Sequence, residues 1–337
     1  MIQEPYTFAN LNNHYLKALE SPWYRMLVLL ENFVSEETMR FYHEKGIITL
    51  HLPVTTGSIS SPMGRGSDSK PVKVQLEGVD TYLADSMQFM LEYGCRLHSR
   101  GCYYLMPTFR GEQADERHLC QFYHSEAEIP GTLQDIMALA ESYVLFLVRR
   151  LLELHRELLI QCCGDIGHIE AMARRSPFPK LTFQEAEQLM REMHPHDIEH
   201  YIEHKEGYRN ITRLAERELA NRYGAVWLTN YDDLAVPFYQ KKAPDGTACN
   251  ADLLMGIGET IGCGERHGDE ASLLAALERH QVVPDEYEWY ITMKRRFPMN
   301  TSGFGMGVER FLMWVLKASD IRNFQLCPRF NGSNIVP

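Results

Sequence analysis

Three groups of residues pair reactive side chain types with a spacing that could do chemistry. The first is FRGEQADERHLCQF, residues 109–122, which sets Arg110, Glu112, Arg117 and His118 around a turn, with Phe122 on the returning segment. Strand–loop–strand geometry would let two guanidiniums converge on one anion while the ring offers a stacking face. A solvated charged hairpin is the competing reading. The second is NADLLMGIGETIGCGER, residues 250–266, with Asp252 and Glu259 on either side of a turn. Carboxylates presented by neighbouring strands make a hard-oxygen site suited to Mg²⁺ and phosphate. Unrelated surface acids are the alternative. The third is GFGMGVER, residues 303–310. Glycine serves where a backbone passes close to another group. No Gly-Lys-Ser/Thr follows, so this is no phosphate loop, and its spacing does not fit a dinucleotide fingerprint. Close strand–helix packing would explain the glycines but not Glu309–Arg310 at the mouth of the following helix.

These groups need elements to position them. Residues 1–20 are polar and read as an extension. Over 22–45, Leu27, Leu30, Phe33, Val34, Met39 and Phe41 fall at helical spacing and stop at Gly46. A strand is predicted over 47–54, followed by a long glycine-, serine- and proline-rich loop of a kind that is either disordered or functional. Strands are expected over 72–76, 102–109, 118–129, 225–230, 236–240 and 250–254. Helices are expected over 86–97, 133–159 (the longest pattern), 182–194, 272–280 and from 303 to 317. Thr182 with Glu185 forms a capping box. Residues 164–180 read as irregular. His196, His200 and His204 recur every four residues and would share a helix face. Metal binding there is possible in type, and an exposed polar face is the preferred reading.

Composition narrows the classes. The chain has 337 residues, 45% hydrophobic and 23% charged, as in ordinary globular enzymes. A formal net charge of −11 disfavours general nucleic-acid binding, though a local basic patch could still meet tRNA. Eight cysteines without a C-x-x-C pair predict reduced thiols in a cytosol. The N-terminus has no signal-peptide pattern, and the apolar runs at 26–30 and 143–148 are too short for a bilayer. A soluble, cytoplasmic protein with no membrane partner is expected. No linker or repeat divides the chain, which favours a single α/β (α+β) catalytic domain over 22–337 after an extension at 1–21.

Together the three groups resemble motifs 2 and 3 of class II aminoacyl-tRNA synthetases, most closely the asparaginyl and aspartyl branch. "FRGE…RHLCQF…E" is similar to "FRAE…RHL-EF…E", and "SGFGMGVERFLMWVLKASDIRNFQLCPR" resembles "SGFGLGFERLVMYLTG…IRDVIPFPR". "DLLMGIGETIGCGER" is similar to "DVLVPKVGEIIGGSQR", "TYLADSMQF" to "-YL-QSPQ", and Pro53 fits the motif 1 proline. The likeness runs from about residue 22 to 332 in the same motif order. It implies an antiparallel sheet flanked by helices and a homodimer through the motif 1 helix. It also implies ATP and Mg²⁺: Arg110 on the α-phosphate, Phe122 stacked on adenine, Arg310 on the γ-phosphate, Arg117 and His118 along the phosphate tail, and Asp252 and Glu259 on the metal. Glu112 and Gly307 belong to the same ATP set. Ser86 and Gln88 would bind the amino end of the amino acid, Glu126 and Arg266 would face its side chain, and the loop 57–70 would close over it.

The chain departs from the pattern in four places. Leu91 stands where aspartyl enzymes have lysine, Glu126 where they have aspartate, Asn300–Ser302 replaces a histidine-containing segment, and Glu265 is added beside the pocket. The first two lean towards the asparaginyl side. An N-terminal anticodon-binding domain is also not expected. The leading expectation is therefore an amide-forming ligase resembling the asparagine synthetases related to this branch. Aspartate would be activated at its β-carboxylate, ammonia would displace AMP, and Arg266 would hold the α-carboxylate. The alternatives are a ligase joining another amino acid to an amine, asparaginyl or aspartyl charging of tRNA, and a non-catalytic regulator that binds an amino acid or tRNA.

Overall fold

The structure, a computed structural model, describes residues 1–62 and 69–333. Its centre is an eight-stranded sheet. In spatial order the strands are Ile48–Thr49, Cys102–Phe109, Gln121–Pro130, Thr301–Gly307, Gly258–Glu265, Asn250–Met255, Ala225–Thr229 and Lys180–Thr182. The interior strands pair antiparallel, and a short strand adds in parallel at each edge. The expected antiparallel sheet with flanking helices is thus the observed architecture.

One face of the sheet is covered by two long helices. Pro22–Lys45 begins at Ser21, whose hydroxyl accepts from Trp23 N, and ends on Gly46 at φ 69°. Its Leu27, Leu30, Phe33, Val34 and Phe41 are buried, whereas Met39 faces outward. Leu133–Leu154 starts with a Thr132–Asp135 capping box. Tyr143 from this helix ties the layers together: its hydroxyl bonds Thr38 Oγ1 at 2.6 Å and Ser125 Oγ at 3.0 Å. The predicted continuation to 159 breaks at His155, whose ring turns edge-on to Phe33, and Arg156–Cys163 follows as a separate helix. At 24 residues against 22, Pro22–Lys45 is the longer helix, contrary to expectation.

Other differences have local causes. Only Ile48–Thr49 of the expected 47–54 strand joins the sheet; Pro53 has no donor for a ladder, and Thr55–Thr56 pairs instead with Val79–Leu83. The 236–240 segment, interrupted by Pro237, makes one isolated bridge, Gln240 with Arg266. A helix, Gly167–Ala173, lies within the stretch read as irregular. His200 and His204 share no helix: Ile198–His200 is a 3-10 turn and Ile202–Lys205 pairs with Tyr208–Ile211. Residues read as a bare extension are docked, with Tyr6 N donating to Asn323 Oδ1 and Glu4 accepting from Asn323 Nδ2. Among the described residues, no helix is long and apolar enough to cross a membrane.

Candidate active site

Alternate residues of a strand face opposite sides, and Gln121–Pro130 uses this to separate core from chemistry. Ser125 bonds the core Tyr143 and Ala127 joins the apolar core. Phe122, His124 and Glu126 line cavities on the other side, and Glu128 pairs with Arg266 there. The neighbouring strand places Gly303 opposite Glu128, Gly305 opposite Glu126 and Gly307 opposite His124. A Cβ at Gly305 would lie 3.2 Å from Glu126 Cγ, and one at Gly303 would collide with the Glu128 carboxylate. The glycine alternation therefore makes room for protein carboxylates, while Phe304 and Met306 between them fill the core. The first helical residue is Val308; the glycines themselves are strand.

Two cavities, of about 90 and 470 Å³, share Arg110, His118, His124, Glu259, Gly305 and Arg310. The smaller is cationic. The Arg110 guanidinium sits 5.6 Å from the Phe122 ring centroid. Arg310 Nη1 donates to Glu259 O at 2.6 Å and lies 3.8 Å from the Glu259 carboxylate. Arg117 is buried and spends Nη2 on Glu216 at 2.9 Å, while its Nε and Nη1, and Nε of Arg110, are buried without a partner among the described residues. Buried donors left unpaired are costly, and both arginines line the smaller cavity, where an anionic group would satisfy them. His118 Nδ1 is 2.8 Å from Asp115, and burial, helped by the nearby Arg310, holds its pKa below the usual histidine value. Glu112 is not among the residues lining either cavity: its Oε1 accepts from Lys70 N at 2.7 Å, tying the long loop to the turn.

Asp252 and Glu259 converge as expected, for a Cβ at Gly262 would lie 3.6 Å from Asp252 Oδ1 and 3.0 Å from Glu259 Oε1. A third carboxylate joins them. Glu216, on the helix Arg213–Tyr223, lines the same cavity. Burial, then the Glu259 charge, pushes the Asp252 carboxyl well above the usual range and raises that of Glu216. Hard oxygens crowded into mutual repulsion fit a divalent cation such as Mg²⁺. Glu216 carries no local sequence signal; only the packing of its helix over the sheet brings it in.

At the other end the charges are already matched. Ser86 Oγ donates to Glu126 Oε2 at 2.7 Å and accepts from Gln88 N at 3.1 Å, starting the helix Gln88–Leu97. His124 Nδ1 lies 2.8 Å from Glu126 Oε1. Burial pushes the Glu126 pKa up, but the neighbouring His124 and several hydrogen bonds outweigh it and hold it low. Gln88 Nε2 is buried with no close hydrogen-bond partner among the described residues, its nearest polar neighbour being the Tyr239 hydroxyl. Arg266 lines the cavity, yet its Nε and Nη2 are taken by Glu128 at 3.2 and 3.0 Å, and Tyr239 faces its guanidinium. Its fork is thus half engaged within the protein. Glu265 turns away to Lys241 Nζ at 2.6 Å and Leu133 N at 3.1 Å. Leu91 is core. Ser60, Ser61 and Ser69 of the loop 57–70 line the cavity, and Asp85 grips Ser60 and Ser61. Residues 63–68 of that loop lie outside the described residues.

Residues 8–331 match the family of class II tRNA synthetases (D, K and N). The chain is 30% identical over 300 residues to the asparagine–tRNA ligase of Sorangium cellulosum, covering 86% of this chain and 66% of that protein. With the asparagine–tRNA ligase of Desulforamulus reducens it is 29% identical over 319 residues, 92% of this chain and 70% of the relative. The asparaginyl-tRNA synthetase of Pyrococcus horikoshii, solved with asparaginyl-adenylate, superposes with a TM-score of 0.86 at 25% identity, over 97% of this chain and 73% of that one. The chain thus spans about two thirds of the length of these curated relatives. It belongs to the class II tRNA synthetases, a ligase family, in their asparagine/aspartate branch.

Proposed function

We propose that this protein activates an amino-acid carboxylate with ATP, forming an aminoacyl-adenylate and pyrophosphate, with asparagine as the amino acid and the 3′ end of tRNA as acceptor. The observation that carries the reading is the set of buried donors on Arg110 and Arg117 left unpaired among the described residues, beside Arg310 and the Phe122 ring in the smaller cavity, which shares Arg110, His118, Glu259 and Arg310 with a larger one lined by Asp252 and Glu216. A carboxylate oxygen must attack an anionic α-phosphate, and the repulsion has to be cancelled by fixed cations. In this reading Arg110 and Arg310 stabilise the charge that develops on the phosphate, Phe122 supports adenine, and Arg117 and His118 line the phosphate tail. Mg²⁺ held by Asp252 and Glu259 would neutralise phosphate oxygens. Glu126, kept anionic, accepts hydrogen bonds from the amino acid, and Arg266 and Gln88 supply donors. The choice of asparagine follows the relatives, which are asparagine–tRNA ligases.

Amidation of aspartate by ammonia is the second reading. Two observations favour it: a net charge of −11, and a 110–120 turn whose Asp115 is folded inward onto Arg117 N and His118 rather than presenting a basic face. ATP–pyrophosphate exchange with each amino acid separates the two. Asparagine-dependent exchange, followed by tRNA acylation, supports the first reading. Exchange with aspartate alone, with ammonium-dependent AMP release yielding asparagine, replaces it with the second. Association as a homodimer through the helix Pro22–Lys45 belongs to the same proposal and is supported by Val28, Leu29 and Met39 exposed on that helix. Light scattering tests it.

A further inference from the structure

His124 is a histidine with no part in the reading above, placed where that reading puts its reacting bonds. Along the strand it stands between Phe122 and Glu126, on the face they share, with a step of about 6.6–6.8 Å between alternate residues. It lines both cavities, whereas Phe122 lines only the smaller and Glu126 only the larger. Its ring meets Phe122 edge-on at 4.7 Å between centroids. Opposite it on the next strand is Gly307.

The two ring nitrogens are unlike. Nδ1 is 2.8 Å from the Glu126 carboxylate and 3.3 Å from Thr108 Oγ1. The carboxylate is an obligate acceptor when ionised, so the Nδ1 proton lies on that bond. In the neutral ring Nε2 then carries the lone pair, and it has no hydrogen-bond partner among the described residues. A carboxylate that holds one nitrogen fixes the tautomer and strengthens the other nitrogen as a base.

We propose that His124 is the proton acceptor of the acyl-transfer step, an inference that rests on the adenylate reading above. The nucleophile's lone pair forms a bond to the acyl carbon. The carbon–oxygen bond to AMP breaks, and its electron pair leaves on the AMP phosphate. The proton of the attacking O–H or N–H moves to Nε2 and is later released to water. Adenylate formation itself removes no proton from a nucleophile, because the attacking group is already a carboxylate. His124 therefore matters in the second step far more than in the first.

The test compares the two steps in wild type, His124→Gln and His124→Asn, each normalised to active sites counted by the pyrophosphate burst. Amino-acid-dependent ATP–pyrophosphate exchange reads the first step. Single-turnover transfer from enzyme-bound adenylate to hydroxylamine and to tRNA reads the second. Transfer should fall about 100-fold or more in both variants, the size of a lost general base, with exchange falling far less. Equal falls in both steps would mean that His124 only orients Glu126, and would overturn the proposal, as would transfer that stays at the wild-type rate. Wild-type exchange is read first. Its absence with every amino acid overturns the adenylate reading itself, an outcome distinct from any defect confined to the variants.

Discussion

The two ends of the cavity treat charge in opposite ways. At the end proposed to take the phosphates, Arg110 and Arg117 keep buried donors without partners among the described residues, and Glu259 and Glu216 lie near enough to Asp252 to repel its charge. At the end proposed to take the amino acid, Arg266 pairs with Glu128, Glu126 with His124, and Asp85 with the loop serines. In the proposed reading, the first end stores its electrostatic cost until a polyanion and cation arrive. The other is satisfied before any ligand comes, and so recognises through shape and the few groups left over, such as Gln88 Nε2. The difference implies that substitutions at the first end should damage reaction more than fold, and at the second fold as much as reaction.

The sharpest break in this comparison is Arg266→Met. Glu128 has a fully buried side chain, and removing its partner leaves an uncompensated charge. Stability should drop by about 3–5 kcal/mol in urea unfolding, with the double variant Arg266→Met, Glu128→Gln recovering much of it. A loss confined to amino-acid KM, with unfolding unchanged, would show that the pair is not structural.

Arg310→Met tests the opposite end. Pyrophosphate exchange should fall about 10²–10³-fold, as for loss of one fixed donor at a developing charge. The melting temperature should hold or rise, because burial, and after it the Arg110 and Arg117 charges, disfavour the guanidinium cation by more than the neighbouring Glu259 and Glu216 favour it. A large loss of stability would erase the contrast.

Much of the phosphate end was legible in the sequence because its residues sit in short contiguous runs. Arg110, Arg117, His118 and Phe122 come from one hairpin, and Asp252 and Glu259 from another. The amino-acid end was read less well. Arg266 is expected to face the substrate side chain and Glu265 to stand beside the pocket, yet Glu128 engages two nitrogens of the first and Lys241 holds the second. Glu216 and His124 went unassigned. Such pairings join residues far apart in the chain, and no local pattern reports them. In the fold, long periodic helices and the strand over 102–109 were predictable. The break at His155 and the loss of a strand around Pro237 came from tertiary packing and a missing donor.

Gly305→Ala probes the boundary between the ends. Its Cβ would meet Glu126 Cγ at 3.2 Å, tight enough that the carboxylate must shift by a few tenths of an ångström. Overpacking of this kind costs about 1–3 kcal/mol. It should appear as a higher amino-acid KM in the exchange assay, with ATP KM moving less. Equal shifts would place the strain at the shared floor instead.

The smallest effect concerns the loop that roofs the amino-acid end. Ser58 Oγ donates to Glu286 O at 2.6 Å and accepts from Trp289 Nε1 at 3.0 Å, while Tyr287 hydroxyl donates to Ile59 O at 3.0 Å. These bonds clasp residues 58–59 from outside, next to Ser60 and Ser61, which line the cavity. Ser58→Ala removes two of the three. Trp289 is 39% exposed, so water can take over its donor and little desolvation cost remains. What is lost is the net value of a hydrogen bond, about 1 kcal/mol. In the proposed reading the loop covers the amino acid and not the phosphates, so the KM for amino acid should rise about fivefold, the equivalent of that energy, with ATP KM unchanged. A matching rise for ATP would mean that the loop serves both ends, and that the amino-acid end is not closed by its own matched charges alone.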